Sequence, residues 1–130
     1  MFNVNVLAVL VATVVVFLIS GVYYAVLGKR MARLSPAYAG DRRSAVATVV
    51  VELIRGLVLS AVIAGLAAGL GLDGLGQALL LTLALWVAFP AVLLTGSVFH
   101  ERVPPQLAAI HAGDWLVKLI VIAGIVILWP

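Results

Sequence analysis

Residues 45–70 read AVATVVVELIRGLVLSAVIAGLAAGL, an apolar run interrupted only by Glu52 and Arg55. A bilayer core of about 30 Å is crossed by roughly 20 apolar residues in a helix, so this run is long enough to span a membrane and too long for a typical buried core segment. Arg42, Arg43 and Ser44 precede it, and Gly71, Asp73, Gly74 and Gly76 follow as a tight turn.

Three further runs flank it, at about residues 4–27, 77–99 and 107–129. The first lacks the basic start of a signal peptide and exceeds the length of an apolar leader segment, which predicts a retained span. Pro90 falls inside the third run. It leaves the Trp86 carbonyl without its usual helical donor and predicts a kink, a defect that neighbouring groups relieve in membrane helices. With 65% hydrophobic and 10% charged residues among 130, the chain has no room for a soluble domain beside the spans. The expected fold is all-α: one transmembrane domain over residues 1–130, an integral membrane four-helix bundle. There is no cysteine, which excludes disulfides, thiolate metal sites and cysteine nucleophiles.

The net charge of +3 comes from the connections and carries no signature of nucleic-acid binding. Loop one holds Lys29, Arg30, Arg33, Arg42 and Arg43, and loop three holds Arg102. The N-terminal tail, loop two and the C-terminus hold no basic residue. By the positive-inside rule, loops one and three are cytoplasmic and both termini lie outside, in a multi-pass protein of the cell membrane. The basic first loop is also a candidate contact for anionic lipid. Tyr23, Tyr24, Phe99 and Trp129 fit interfacial belts or internal packing equally well.

Four ionisable side chains interrupt the apolar runs: Glu52 and Arg55 in the second, Asp114 and Lys118 in the fourth. A charge at the bilayer centre costs about 2.5–3.5 kcal/mol on insertion scales, so such groups face protein or water and find partners. Counting from the cytoplasmic ends puts the two acids at one depth and the two bases about one turn deeper. Crossed pairs, Glu52 with Lys118 and Arg55 with Asp114, are then within reach, as are pairs within each helix at i,i+3 and i,i+4. His111, Asp114, Trp115 and Lys118 form a stripe on the fourth helix, and Thr48, Glu52 and Arg55 form one on the second. These stripes are expected to face each other.

The second helix also carries two rows of small residues, Gly56, Ser60, Ala64 and Ala68 in one and Ala61, Gly65 and Gly69 in the other. Gly65 and Gly69 form a GxxxG that suits close packing, either inside the bundle or between protomers. Val62 to Gly65 recur as Val121 to Gly124, which fits an internal repeat or chance in so biased a composition. Catalytic signatures are missing: there is no HExxH, GxSxG or phosphate-cradling loop. His111, Asp114 and Glu52 offer at best a bare minimum of metal ligands, so neither metal nor cofactor is expected. His100 and Glu101 read as solvated loop charges.

Gly21, Tyr23, Tyr24, Gly28 and Lys29, then Leu85, Trp86 and Phe89, then Ile110, His111, Gly113, Asp114, Trp115, Leu116 and Val117 carry a resemblance. Through them the chain resembles the bacterial membrane family catalogued as domain of unknown function 1761. The resemblance implies four membrane helices and no established activity, and it draws attention to His111, Gly113 and Asp114. Two functions compete. The first is a homo-oligomeric channel or transporter for an ion or small solute, lined by Glu52, Arg55, His111, Asp114, Trp115 and Lys118. The second is a structural or accessory membrane subunit whose buried ion pairs fix the bundle. The permeation pathway is the working expectation, and catalysis is not expected.

Overall fold

The computed structural model describes residues 3–38 and 44–129 of the chain. Four helices account for nearly all of them: α1 Val6–Leu34, α2 Ala45–Leu70, α3 Leu75–His100 and α4 Pro105–Leu128, each long and apolar enough to cross a membrane. Among the described residues there is no strand. The protein is thus an all-α, multi-pass membrane bundle.

Local chemistry sets the helix ends. Asn5 Oδ1 accepts the Ala8 amide of α1 at 3.1 Å, and Ser44 Oγ accepts the Ala47 amide of α2 at 3.1 Å, each satisfying an orphan donor of a first turn. Gly71 closes α2 in the left-handed region at φ +67°, a conformation a side chain would strain, and Leu72 N–H returns to Ala67 O at 2.9 Å. Pro105 opens α4, where its missing N–H removes no helical bond.

One element departs from the sequence expectation. Helix α1 does not stop near Leu27 but continues to Leu34, so Lys29, Arg30 and Arg33 project from a helix and not from a loop. Ser20, Tyr24, Leu27, Met31 and Leu34 recur at alternating four- and three-residue steps, and the last three, with Tyr38, pack around Leu107 and Ile110 of α4. That contact outweighs Gly28, which lowers helix stability by only about 1 kcal/mol against alanine. Arg42 and Arg43 lie outside the described residues. At Pro90, α3 stays helical through a π turn over Val87–Ala91, the wider winding by which a helix absorbs a missing donor.

Helix α4 is the hub, packed on α1, α2 and α3. The main core joins Ala8, Ala12 and Val16 of α1 to Ile63 and Ala64 of α2 and to Ile122 and Ala123 of α4, small and branched side chains that let the helices approach closely. Coverage is uneven. In the most apolar stretch of each helix a third of α1 and α4 is buried (33% each), against 17% of α3 and 11% of α2. Helix α2 therefore leaves most of its circumference outside the protomer.

Candidate functional site

The polar groups of the bundle gather between α1 and α4, toward the end that carries Lys29, Arg30 and Arg33. Asp114 is their centre. Its Oδ1 accepts from Ser20 Oγ at 2.6 Å, and its Oδ2 accepts from Tyr24 Oη at 3.1 Å and pairs with Lys118 Nζ at 2.8 Å. The side chains of Asp114 and Lys118 are 4% and 11% exposed. Ser20, Tyr23 and Tyr24 reach this place because their i, i+3, i+4 spacing puts them on one face of α1.

His111 extends the network toward the basic end. Its Nδ1 lies 3.0 Å from Tyr24 Oη and its Nε2 lies 3.1 Å from Tyr38 Oη, with Tyr38 held in the short turn Pro36–Tyr38 after α1. Donor counting assigns the protons. Tyr24 has one hydroxyl proton and gives it to the carboxylate, which can only accept, so His111 Nδ1–H donates to Tyr24 Oη. A neutral imidazole then accepts from Tyr38 at Nε2. The result is a continuous chain, Tyr38, His111, Tyr24, Asp114, Lys118.

Side chains from two other directions anchor α4. Tyr23 Oη donates to Ile110 O at 2.6 Å, and from α3 Trp86 Nε1 donates to Ala112 O at 2.9 Å and Thr82 Oγ1 to Leu119 O at 3.3 Å. Tyr23 can approach only because residue 113 is glycine: a Cβ built there would lie 2.6 Å from the phenolic oxygen. Trp115 is half-buried beneath Lys118, whose Nζ is 5.5 Å from the ring centroid, a cation–π contact.

The sequence-predicted residues thus divide. His111, Asp114, Trp115 and Lys118 meet as one site. Among the described residues Glu52 and Arg55 make no hydrogen bond or ion pair with it, which corrects the expectation of crossed pairs; the pairs within each helix, the other expected arrangement, are the ones formed. Arg55 Nη1 binds Glu52 Oε1 at 2.6 Å within α2, and these side chains are 53% and 34% exposed. The physical reason lies on both helices. Asp114 obtains its donors from α1, while α2 turns its row of Gly56, Ser60 and Ala64 inward. A Cβ at Gly56 would sit 3.6 Å from Thr13 and Val16 of α1, so a bulkier inward side chain would push the helices apart. The second small row faces out: Gly69 is exposed, and nothing lies within 4 Å of a Cβ at Gly65. The shared depth of the charges does hold. Contacts of Gly56 with Val16 and of Asp114 with Ser20 bring Arg55 and Lys118 level with Val16, and Glu52 and Asp114 about one turn nearer the basic end.

Of the aromatics, Tyr23 and Tyr24 serve packing and hydrogen bonding, whereas Phe99 (79%) and Trp129 (41%) are exposed near helix ends. Ser20 and Tyr38 belong to the site without having been singled out from sequence; the four-residue step from Ser20 to Tyr24 was the available signal. A cavity of about 70 Å³ lies at the far end of the bundle among Asn3, Asn5, Ala64 and Val126, and another of about 220 Å³ lies between α3 and α4 beside Trp86, Thr95 and Ala109. Neither is lined by Asp114, Lys118 or His111. Among the described residues no three His, Asp or Glu side chains converge as a metal site requires.

The family model described as protein of unknown function, DUF1761, matches residues 7–127, nearly the whole chain. No curated protein and no solved structure matches. The chain belongs to the DUF1761 family.

Proposed function

We propose that this DUF1761 member is a non-enzymatic structural subunit of a membrane assembly, in which the Asp114 network fixes α1 against α4. The observation that carries this reading is the engagement of both oxygens of the Asp114 carboxylate: three donors within 3.1 Å and almost no exposure. A group so fully engaged and so tightly packed is suited to holding register, whereas a permeation site must release what it binds. Beyond Lys118, toward the far end, α4 continues with Leu119, Ile122 and Ala123, all buried against apolar neighbours. In the cell membrane the basic end would face the cytoplasm, with Lys29, Arg30 and Arg33 exposed to anionic headgroups.

A second reading has its own support. The chain of exchangeable groups from Tyr38 to Lys118 leads from the basic end to the middle of the bundle, which is the arrangement of an inward half-path for protons. Liposome reconstitution separates the two. The purified protein is tested for proton, alkali cation and halide flux, with Asp114→Asn checked first for an intact fold by melting. The structural reading expects flux no greater than in protein-free liposomes and a lower melting temperature for the variant. Proton flux in the parent that disappears in folded Asp114→Asn would overturn it in favour of the second reading.

A further inference from the structure

The Glu52 and Arg55 pair stands in the wrong environment for an isolated protomer. Arg55 is level with Val16, and at 1.5 Å per residue it lies roughly 20 Å from the level of Lys29 and roughly 16 Å from that of Asn5. Neither surface is within reach of its side chain. Yet the Arg55 side chain is more than half exposed, and among the described residues its one hydrogen-bond partner is Glu52 Oε1. A guanidinium carries five N–H donors, and hydrocarbon accepts none of them. In lipid the remaining donors require cover by another polar chain.

The face around Arg55 has the form of a helix-pairing seam. Val51, Arg55, Val58, Val62, Gly65 and Gly69 follow one another at alternating steps of four and three residues, the period of a left-handed coiled coil. None of the six is buried in the protomer. The outward side of this seam is therefore not a second core face of the same chain. Within it, a single polar position among apolar and small ones is the device that sets register in paired helices.

We propose that α2 is the subunit interface of a parallel homodimer, in which Arg55 of each copy binds Glu52 of the other. The partner is a second copy because the surface is complementary to itself. The acid and the base stand one turn apart, so two copies inserted the same way across a two-fold axis bring each base within a turn of the opposing acid, and the four charges cancel. The clustering of basic residues at one end favours the same insertion for both copies. Gly65 and Gly69 lie further along the same seam, where the absence of side chains lets the helices converge. This names the partner within the structural reading above, and it is tested by a measurement that does not depend on flux.

The chain has no native cysteine, so single cysteines report on single positions. Val58→Cys and Val62→Cys are placed on the seam, and Val22→Cys, exposed on α1, serves as control. Copper-catalysed oxidation in native membranes should give a disulfide-linked species of twice the chain mass at positions 58 and 62 and at least tenfold less at 22. Adding Arg55→Glu should remove the cross-link, and the swap Glu52→Arg with Arg55→Glu should restore it, which separates a lost interface from a lost fold. Monomer at both seam positions, equal cross-linking at Val22→Cys, a cross-linked species of another mass, or failure of the swap to restore the dimer would each overturn the homodimer.

Discussion

Replacing Gly113 with alanine should destabilise the protein through Tyr23 alone. The new methyl carbon would fall 2.6 Å from the Tyr23 hydroxyl, which is held in place by a 2.6 Å bond to Ile110 O. Overpacking of this kind costs about 1–3 kcal/mol, and the displaced hydrogen bond adds about 1 kcal/mol. Against this, alanine favours a helix over glycine by about 1 kcal/mol, leaving a net loss of about 1–3 kcal/mol. In a Tyr23→Phe background the hydroxyl is gone, and the nearest atom becomes the ring carbon Cζ at 3.6 Å, an ordinary contact. There Gly113→Ala should be neutral or slightly stabilising, so the two substitutions should couple by about 2 kcal/mol or more. Equilibrium unfolding in mixed micelles, followed by tryptophan fluorescence, measures all four corners of the cycle. Equal destabilisation by Gly113→Ala in both backgrounds, or none in the parent, would refute the argument that glycine is needed at residue 113 to admit Tyr23.

The same unfolding assay addresses the charges. Asp114→Asn or Lys118→Met alone should cost about 3–5 kcal/mol by leaving its partner buried and uncompensated, and the double variant should recover much of that loss. Arg55→Met combined with Asp114→Asn should be additive within about 0.5 kcal/mol in monomeric micelles, since the two residues belong to separate pairs. Among the described residues Ser60 Oγ on α2 is fully buried without a hydrogen-bond partner, so Ser60→Ala should stabilise by up to about 1 kcal/mol, and a clear loss of stability would reveal a partner for that hydroxyl. In intact cells, an impermeant thiol reagent should label cysteines at Asn3 and Asp73 and spare those at Ser35 and Arg102. The reverse pattern would invert the bundle.

How far the sequence carries depends on which interaction decides each feature. The four spans are legible because length and hydropathy decide them, and the depths of Glu52, Arg55, Asp114 and Lys118 because helical rise does. The choice of partner is decided otherwise. On α2 Glu52 continues the i,i+4 row of Gly56, Ser60 and Ala64, so the sequence puts it on the inward side without saying which partner it meets there. Packing settles it: the small row lets α1 come within van der Waals distance, while Glu52 and Arg55 already satisfy each other at i,i+3. Asp114 has the same option with Lys118 and takes it, but a carboxylate accepts several bonds, and the remaining ones go to Ser20 and Tyr24. Those donors sit on a helix distant in sequence, and their hydroxyls give no sign in hydropathy of the partner they will meet. A buried acid in a membrane span thus announces that donors exist without announcing where. The stretch from His111 to Trp115 is informative for the same reason: it combines the acceptor, the imidazole that relays it toward Tyr38, and the glycine whose missing side chain lets Tyr23 dock beside them.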